Sequence, residues 1–466
     1  MRHAQRFAIH VFGILSAMAL NAGATQPPDI VQSDYAENTA MGDLALSNLT
    51  TGSENTAAGE DALLGTTTGS ANTAVGDAAL EVNSSGSGNT AVGTAALLWN
   101  STAPDNTAMG HQALQQNTTG AENSALGSGS LQFNTTGADN VGLGFYAIHS
   151  NTTGTLNTGV GAYVLDYNLT GSYNTAAGYS TLFSNTTGND NSALGFQALY
   201  TNATGSANTA MGNKSLYNNT DGIYNSGVGA FALYNNTTGN FNTGVGYQTL
   251  GANTVGTANT ATGRNALYSN TTGSYNIALG MNAGYKLTTG SNNIEIGNEG
   301  VASDTSTIRI GTAGTQTATY IAGIDTTQIT GSAVFVTSSG KLGVLASSER
   351  YKTAIVSMNR SETRKLQALR PVRFHLKTDP LGQLQYGLIA EEVAKIYPEL
   401  VIRDDHGVIQ GVRYDELAPM LLNAMQEQQS ALAEVTAQLA ALRQSTAAMQ
   451  SVLRDMQQSA ARTAMR

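Results

Sequence analysis

Asn106-Thr107-Ala108-Met109-Gly110-His111-Gln112-Ala113-Leu114-Gln115-Gln116-Asn117-Thr118-Thr119-Gly120 is one copy of a repeat that restarts at Asn123. Asn stands at 38, 55, 72, 89, 106, 123, 140, 157, 174, 191, 208, 225, 242, 259, 276 and 293, a constant spacing of seventeen. A Gly follows each of them four residues later, from Gly42 to Gly297. A period without insertions means that every copy makes the same circuit. Gly and Asn at this density oppose helix. Thr-Ala-Met alternates between two faces, as a strand does. The invariant Gly implies a backbone with positive φ or a close approach between coils, and Asn-Thr-Thr-Gly is turn chemistry. These features predict a parallel β-solenoid or β-roll with one coil per repeat. Sixteen coils at about 4.8 Å each give a rod roughly 75 Å long. The recurrent Ala, Leu and Met or Val positions are expected inside, and stacked Asn and Thr are expected to form ladders.

The composition agrees with a rod. The 466 residues include 52 glycines, no cysteine and only 12% charged residues, with a formal charge of −10. The lack of cysteine excludes disulfides, thiolate metal sites and a cysteine nucleophile. The acidic balance argues against nucleic acid as a partner. Between 38 and 300 there are three basic residues (Lys214, Arg264 and Lys286) against fourteen acidic ones. Gly142-Leu143-Gly144 and Gly159-Val160-Gly161 lack the third glycine and helix of a dinucleotide loop. Asn117-Thr118-Thr119 and its equivalents are turn residues before they are sequons. No cofactor or metal is expected. Tyr200, Tyr217, Phe231, Tyr234 and Tyr268 fall at coil corners, where they either stack on a surface glycan or pack against neighbouring coils.

Residues 1–24 read as a signal peptide: Arg2 and Arg6, an apolar stretch from Phe7 to Leu20 broken by His10, then Ala22-Gly23-Ala24. The other reading is an uncleaved anchor, but the stretch is shorter than a membrane span. The expectation is a secreted or cell-surface protein with no integral membrane segment after cleavage. Residues 25–37 form a short N-terminal segment, 38–297 the repeats and 298–346 a β-rich cap and neck. In the neck, Ile308-Arg309-Ile310-Gly311 echoes Ile294-Glu295-Ile296-Gly297 at a spacing of fourteen. Thr319–Ile324 and Ala333–Val336 read as strands, with a hairpin turn at Ser338–Gly340 leading into another strand at Lys341–Gly343.

Composition changes at about residue 347, where glycine becomes scarce. Residues 348–466 carry 15 basic and 13 acidic residues. Apolar residues from Leu417 to Met456 follow a heptad. One seam position holds Leu432, Leu439, Thr446 and Leu453, the other Val435, Leu442, Met449 and Met456, and Gln428 also falls on the seam. The reading is a small α+β domain over 347–416, then a C-terminal coiled coil over 417–466, in a chain that is mainly β overall.

The repeats resemble, in style though not in length, the head repeats of trimeric autotransporter adhesins. That resemblance implies a homotrimer. A second resemblance is carried by Ser347-Ser348-Glu349-Arg350-Tyr351-Lys352, Leu366-Gln367-Ala368-Leu369-Arg370-Pro371-Val372-Arg373-Phe374, Tyr386-Gly387-Leu388-Ile389-Ala390-Glu391-Glu392-Val393, Pro398-Glu399-Leu400-Val401 and Val412-Arg413-Tyr414-Asp415-Glu416-Leu417. In this order at the chain end, they resemble the intramolecular chaperone of phage endosialidase tailspikes and related tail fibres. The resemblance implies a domain that drives trimer assembly and then cuts itself off with a serine and a lysine five residues downstream. The matching positions are Ser347 and Lys352, with Arg350 and Glu392 in support. The family's aspartate is replaced by Ser348, which is also an alternative nucleophile, and its glutamine by Glu391. A serine needs a base, and a desolvated lysine can serve. The expected activity is single-turnover autoproteolysis, with no enzyme activity in the repeats.

Four functions compete for this sequence. The first is an exported trimeric fibre, adhesin-like, with a self-releasing chaperone. The second is a surface adhesin, either anchored in a membrane by its own C-terminus or a non-cleaving, ligand-binding solenoid whose C-terminal domain is a permanent trimerisation foot. The residues before Arg466 do not alternate as a membrane-anchoring strand would. A polysaccharide-degrading spike needs paired carboxylates, and the solenoid acids fall at irregular positions. Ice or mineral binding needs a flat threonine face.

Overall fold

The computed structural model describes residues 32–321, 333–337, 339–377, 379, 381–404 and 406–464. The expected signal peptide lies outside these residues. The chain divides into two units, one ending at Tyr320 and one beginning at Ile321.

The first unit is a parallel β-solenoid. Strand β1 (Gln32–Ser33) pairs antiparallel with β2 (Thr39–Met41) and closes one end. From β2 to β17 (Ile294–Ile296) each three-residue strand pairs parallel with the one seventeen residues on, as Thr175↔Ser192 and Ser192↔Thr209 show. The last step is three residues shorter. Ile294 pairs with Ile308 of β18 (Ile308–Ile310), so the fourteen-residue echo is a tightened terminal coil.

Only the middle residue of each strand points into the lumen. Ala108 is fully buried while Met109 beside it is 43% exposed. The expected interior stripe therefore holds for Ala and Leu but not for Met and Val. Three residues of a pleated strand place the first and third on the opposite face from the second. The outcome is an exposed apolar column, including Met109, Leu126, Leu143, Val160, Leu194 and Met211, along the rod.

The lumen is filled by a column of leucines, Leu63 to Leu250 with Ile148 among them, all fully buried. These residues sit at φ of about +50°, for example Leu114 at 50°. The left-handed conformation costs an L-residue roughly 1–2 kcal/mol. Full burial of a leucine returns about 1.5–3 kcal/mol, so the coil tolerates it. Two asparagine ladders run beside the leucines. Asn191 Nδ2 donates to Asn174 Oδ1 at 3.1 Å and to the Gly205 carbonyl at 2.9 Å. Asn202, from the Asn-x-Thr-Gly turn, donates to the same carbonyl at 2.8 Å and to Asn185 Oδ1. Most of the buried amides thus find partners in an adjacent circuit, as buried polar groups require, with Asn270 Oδ1 among the exceptions. The sequon Asn117 is fully buried and bonded the same way, so its amide is inaccessible in the folded coil.

Glu295 breaks the pattern. It occupies a middle strand position that holds Ala or Gly in the other copies. It is fully buried, and neither carboxylate oxygen has a hydrogen-bond partner among the described residues. Asp304 is bound instead to Arg309, with Nε–Oδ2 at 2.6 Å. Burial, with a smaller contribution from the Asp304 charge and against the pull of Arg309, pushes the Glu295 carboxyl up to about 7. The folded state therefore holds a proton that the unfolded chain releases near 4.5. The contribution of this one group to stability is highest below pH 4.5, falls as pH rises towards 7, and then stays low. The penalty totals roughly 3 kcal/mol. Glu295→Gln should flatten that part of the melting profile and raise the midpoint above pH 7. An unchanged profile would show that Glu295 is not the group responsible.

In the second unit, β19 (Phe335–Val336) and β20 (Leu342–Gly343) form the expected hairpin. The expected strands are shorter than read. Thr319 to Ile321 lie outside any strand, Ala333 and Val334 precede β19, and 322–324 lie outside the described residues. Next come α1 (Arg360–Thr363), the pair β21 (Val372–Phe374) and β22 (Gln385–Gly387), and α2 (Ala390–Ile396). The pair β23 (Val401–Arg403) and β24 (Ile409–Val412) leads into the 51-residue α3 (Tyr414–Ala464). Val393, Tyr397, Leu400, Val401, Val412, Leu417 and Met420 form the small core. Tyr397 Oη donates to the Glu362 carbonyl at 2.8 Å and ties α2 to α1. Beyond Met420 the seam residues Leu432, Val435, Leu439, Leu442, Met449, Leu453 and Met456 are all exposed. No helix among the described residues is long and apolar enough to cross a membrane.

Candidate functional site

Ser347 and Lys352 flank a single 3₁₀ turn, Glu349–Tyr351. Ser348 is the extended residue before it, and its carbonyl accepts from the Tyr351 N–H at 3.0 Å. The Glu349 carbonyl accepts from the Lys352 N–H at 2.9 Å. That turn shortens the path between residues five apart and brings the Lys352 side chain back to Ser347. Lys352 Nζ donates to Ser347 Oγ at 3.3 Å. Both residues are exposed.

The supporting residues have other partners. The Arg350 guanidinium lies over the Tyr351 ring, 4.7 Å from its centroid. Glu392, in the first turn of α2, forms a two-pronged pair with Arg370, at 3.1 Å from Nε and 2.5 Å from Nη2. The Arg370 hydrogen bonds hold the Glu392 carboxyl below its ordinary range. The structure therefore joins the serine to the lysine and the glutamate to Arg370. Arg370 was not singled out from sequence. Its position just before Pro371 and β21, within a motif segment, is the signal that marks it. Among the described residues there is no cluster suited to hold a metal ion.

On the rod, the corner tyrosines chiefly face one another. Phe183, Tyr200, Tyr217 and Tyr234 stack in sequence with centroids 5.1, 5.1 and 5.2 Å apart. Phe231 lies tilted against Tyr234 at 5.7 Å, and Tyr268 stacks on Tyr285 at 5.6 Å. This is packing between coils, one of the two roles considered for these rings.

Residues 347–402 match the family model described as the chaperone of endosialidase. The match begins at the candidate nucleophile and ends within β23, and so contains Ser347, Arg350, Lys352, Arg370 and Glu392. No curated protein and no solved structure is significantly similar to the chain. A chaperone segment of this kind behind a β-solenoid fits a fibre- or tailspike-like assembly protein.

Proposed function

We propose that this chain is an exported, homotrimeric, adhesin-like fibre protein whose C-terminal segment directs assembly and is then released by autoproteolysis at Ser347. The observation that carries the reading is the 3.3 Å contact between Lys352 Nζ and Ser347 Oγ at the head of the matched segment. Two unburied apolar stripes support association between copies: the third-position column of the rod and the heptad seam of α3. Identical coils invite slips of register. A parallel coiled coil at one end aligns three chains before the rods zip together.

Ser347 attacks an adjoining peptide carbonyl. The Oγ–C bond forms, the C–N bond breaks, and Lys352 carries the Oγ proton to the leaving amine. Water then hydrolyses the ester. Enforced proximity drives the step. In this mechanism assembly also acts as the trigger. Lysine is a base only when desolvated, and packing of three copies around residues 347–352 supplies the burial that the single chain lacks.

Two observations favour a second reading, a permanent trimerisation foot on a non-cleaving adhesin. Ser347 and Lys352 are both exposed, and Ser348 stands where the resembled family carries aspartate. Intact-mass analysis of the purified trimer, beside a denaturing gel, separates the two. Self-release gives a fragment from the 120 residues 347–466, about 13 kDa at ~110 Da per residue. A trimer that stays whole establishes the foot.

A further inference from the structure

A cleft of about 500 Å³ opens on the rod where two columns of side chains change character together. That size lies within the roughly 300–1,000 Å³ of small-ligand sites. Six residues after the leading Asn, successive coils carry Tyr146, Tyr163, Ser180 and Gln197. Nine residues after it they carry His149, Asp166, Phe183 and Tyr200. Buried Ser180 interrupts a run of large side chains and leaves a gap between the columns. Tyr163 and the half-exposed Tyr179 border it on one side, with ring centroids 5.9 Å apart. Tyr167, also half-exposed, and Phe183 border it on the other, at 5.1 Å.

The polar part of the lining is equally specific. Asp166 is buried and lies 3.2 Å from His149 Nδ1. A carboxylate has acceptor capacity beyond one such contact, and Gln197 offers both donor and acceptor. The trio Ser150, His149 and Asp166 is not a hydrolytic triad. Ser150 Oγ and Asp166 Oδ1 approach the same ring nitrogen, at 3.4 and 3.2 Å, while Nε2 is taken by Gln132 at 3.0 Å. A triad needs serine and carboxylate on opposite nitrogens.

We propose that this cleft binds a neutral oligosaccharide without cleaving it. Tyrosine rings offer flat apolar faces with a hydroxyl at the edge, which suits the apolar face and equatorial hydroxyls of a sugar. The lining contains no lysine or arginine, and the ring nitrogens of its histidine, His149, already face Asp166 and Gln132, so no unengaged cation is built into it to compensate a sialic acid carboxylate or a phosphate. The cleft is lined by residues five to ten places after the leading Asn, whereas the exposed apolar column is formed by the residue three places after it. The proposal deepens the adhesin-like reading of the rod. It is independent of self-release, which the mass measurement reads separately.

The test is titration of the full chain with maltohexaose, cellohexaose, mannohexaose and chitohexaose, and with a sialic acid hexamer as the anionic control. At least one neutral hexaose should bind and the sialic acid hexamer should not. Tyr179→Ala should weaken that binding about tenfold or more. Ser180→Tyr should block it, using a side chain that Tyr146 and Tyr163 show the column accommodates. Tyr275→Ala, at an exposed tyrosine outside the cleft, should leave affinity unchanged. Melting curves for each variant separate loss of the site from loss of the rod. The proposal is overturned if no neutral hexaose binds, if the sialic acid hexamer binds as well as the neutral ones, or if a well-folded Ser180→Tyr chain binds like the wild type.

Discussion

Ser347→Ala should yield a trimer of full-length chains from which no fragment of about 13 kDa is ever released. The substitution removes the oxygen to which Lys352 Nζ donates. Lys352→Ala should slow release by roughly 10²–10⁴, the usual contribution of a positioned general base. Lys352→Arg should be no better, because a guanidinium cannot take up the proton. Ser348→Ala is the informative control. Its hydroxyl lies one residue away on the extended residue that opens the 3₁₀ turn, with no hydrogen bond to the turn from its side chain. Release at the wild-type rate in Ser348→Ala, with none in Ser347→Ala, assigns the nucleophile. The reverse pattern moves it to Ser348. A fragment that persists in both single variants and in the double variant Ser347→Ala, Ser348→Ala shows that a foreign protease makes the cut. All of these chains should still form trimers, because the seam of α3 is untouched. The uncleaved trimer should also unfold and refold more freely than the cleaved one, since cleavage converts an equilibrium into a kinetic barrier.

The legible part of this molecule is the part that repeats. A seventeen-residue period in which Asn and Gly never slip reports one circuit per copy, and the observed register follows it coil by coil. The interior was read less well. Met109 and its equivalents look like core residues by type, but a strand of three has a single inward position, and alanine holds it. The leucines at φ near +50° could not be read from residue type, because intrinsic preference argues against leucine there. What permits them is burial in a lumen that exists only once the coils stack. Glu295 and Ser180 were visible in the sequence only as departures within a column. Each is the residue where the average copy ceases to describe the local chemistry. The pairing of Ser347 with Lys352 was legible through family resemblance. The 3₁₀ turn that makes a spacing of five into a contact was not.

The repeat glycine offers the sharpest structural test, because one position occurs in two environments. Gly144→Ala should destabilise the rod by about 4 kcal/mol or more, the sum of backbone strain and overpacking. Its φ of 139° is a conformation that L-residues rarely adopt. A Cβ there would lie within 2.3 Å of the Gly161 carbonyl oxygen and 2.6 Å of its carbon, both backbone atoms of the next coil. Those atoms cannot retreat. Gly161 repeats the same approach to Gly178, and the coils on either side are locked by the Asn ladders. Gly297 occupies the same place in the last seventeen-residue copy. Its φ is 59°, inside the ordinary left-handed region, and an added Cβ would meet nothing within 4 Å. Gly297→Ala should therefore cost only about 1 kcal/mol. Thermal melts with limited proteolysis of both variants check the contrast. If the two substitutions cost the same, the glycine serves each coil's own turn. If Gly144→Ala is several times worse, the glycine is there to let one coil's backbone lie against the next, and the tightness of that stacking sets the stability of the rod.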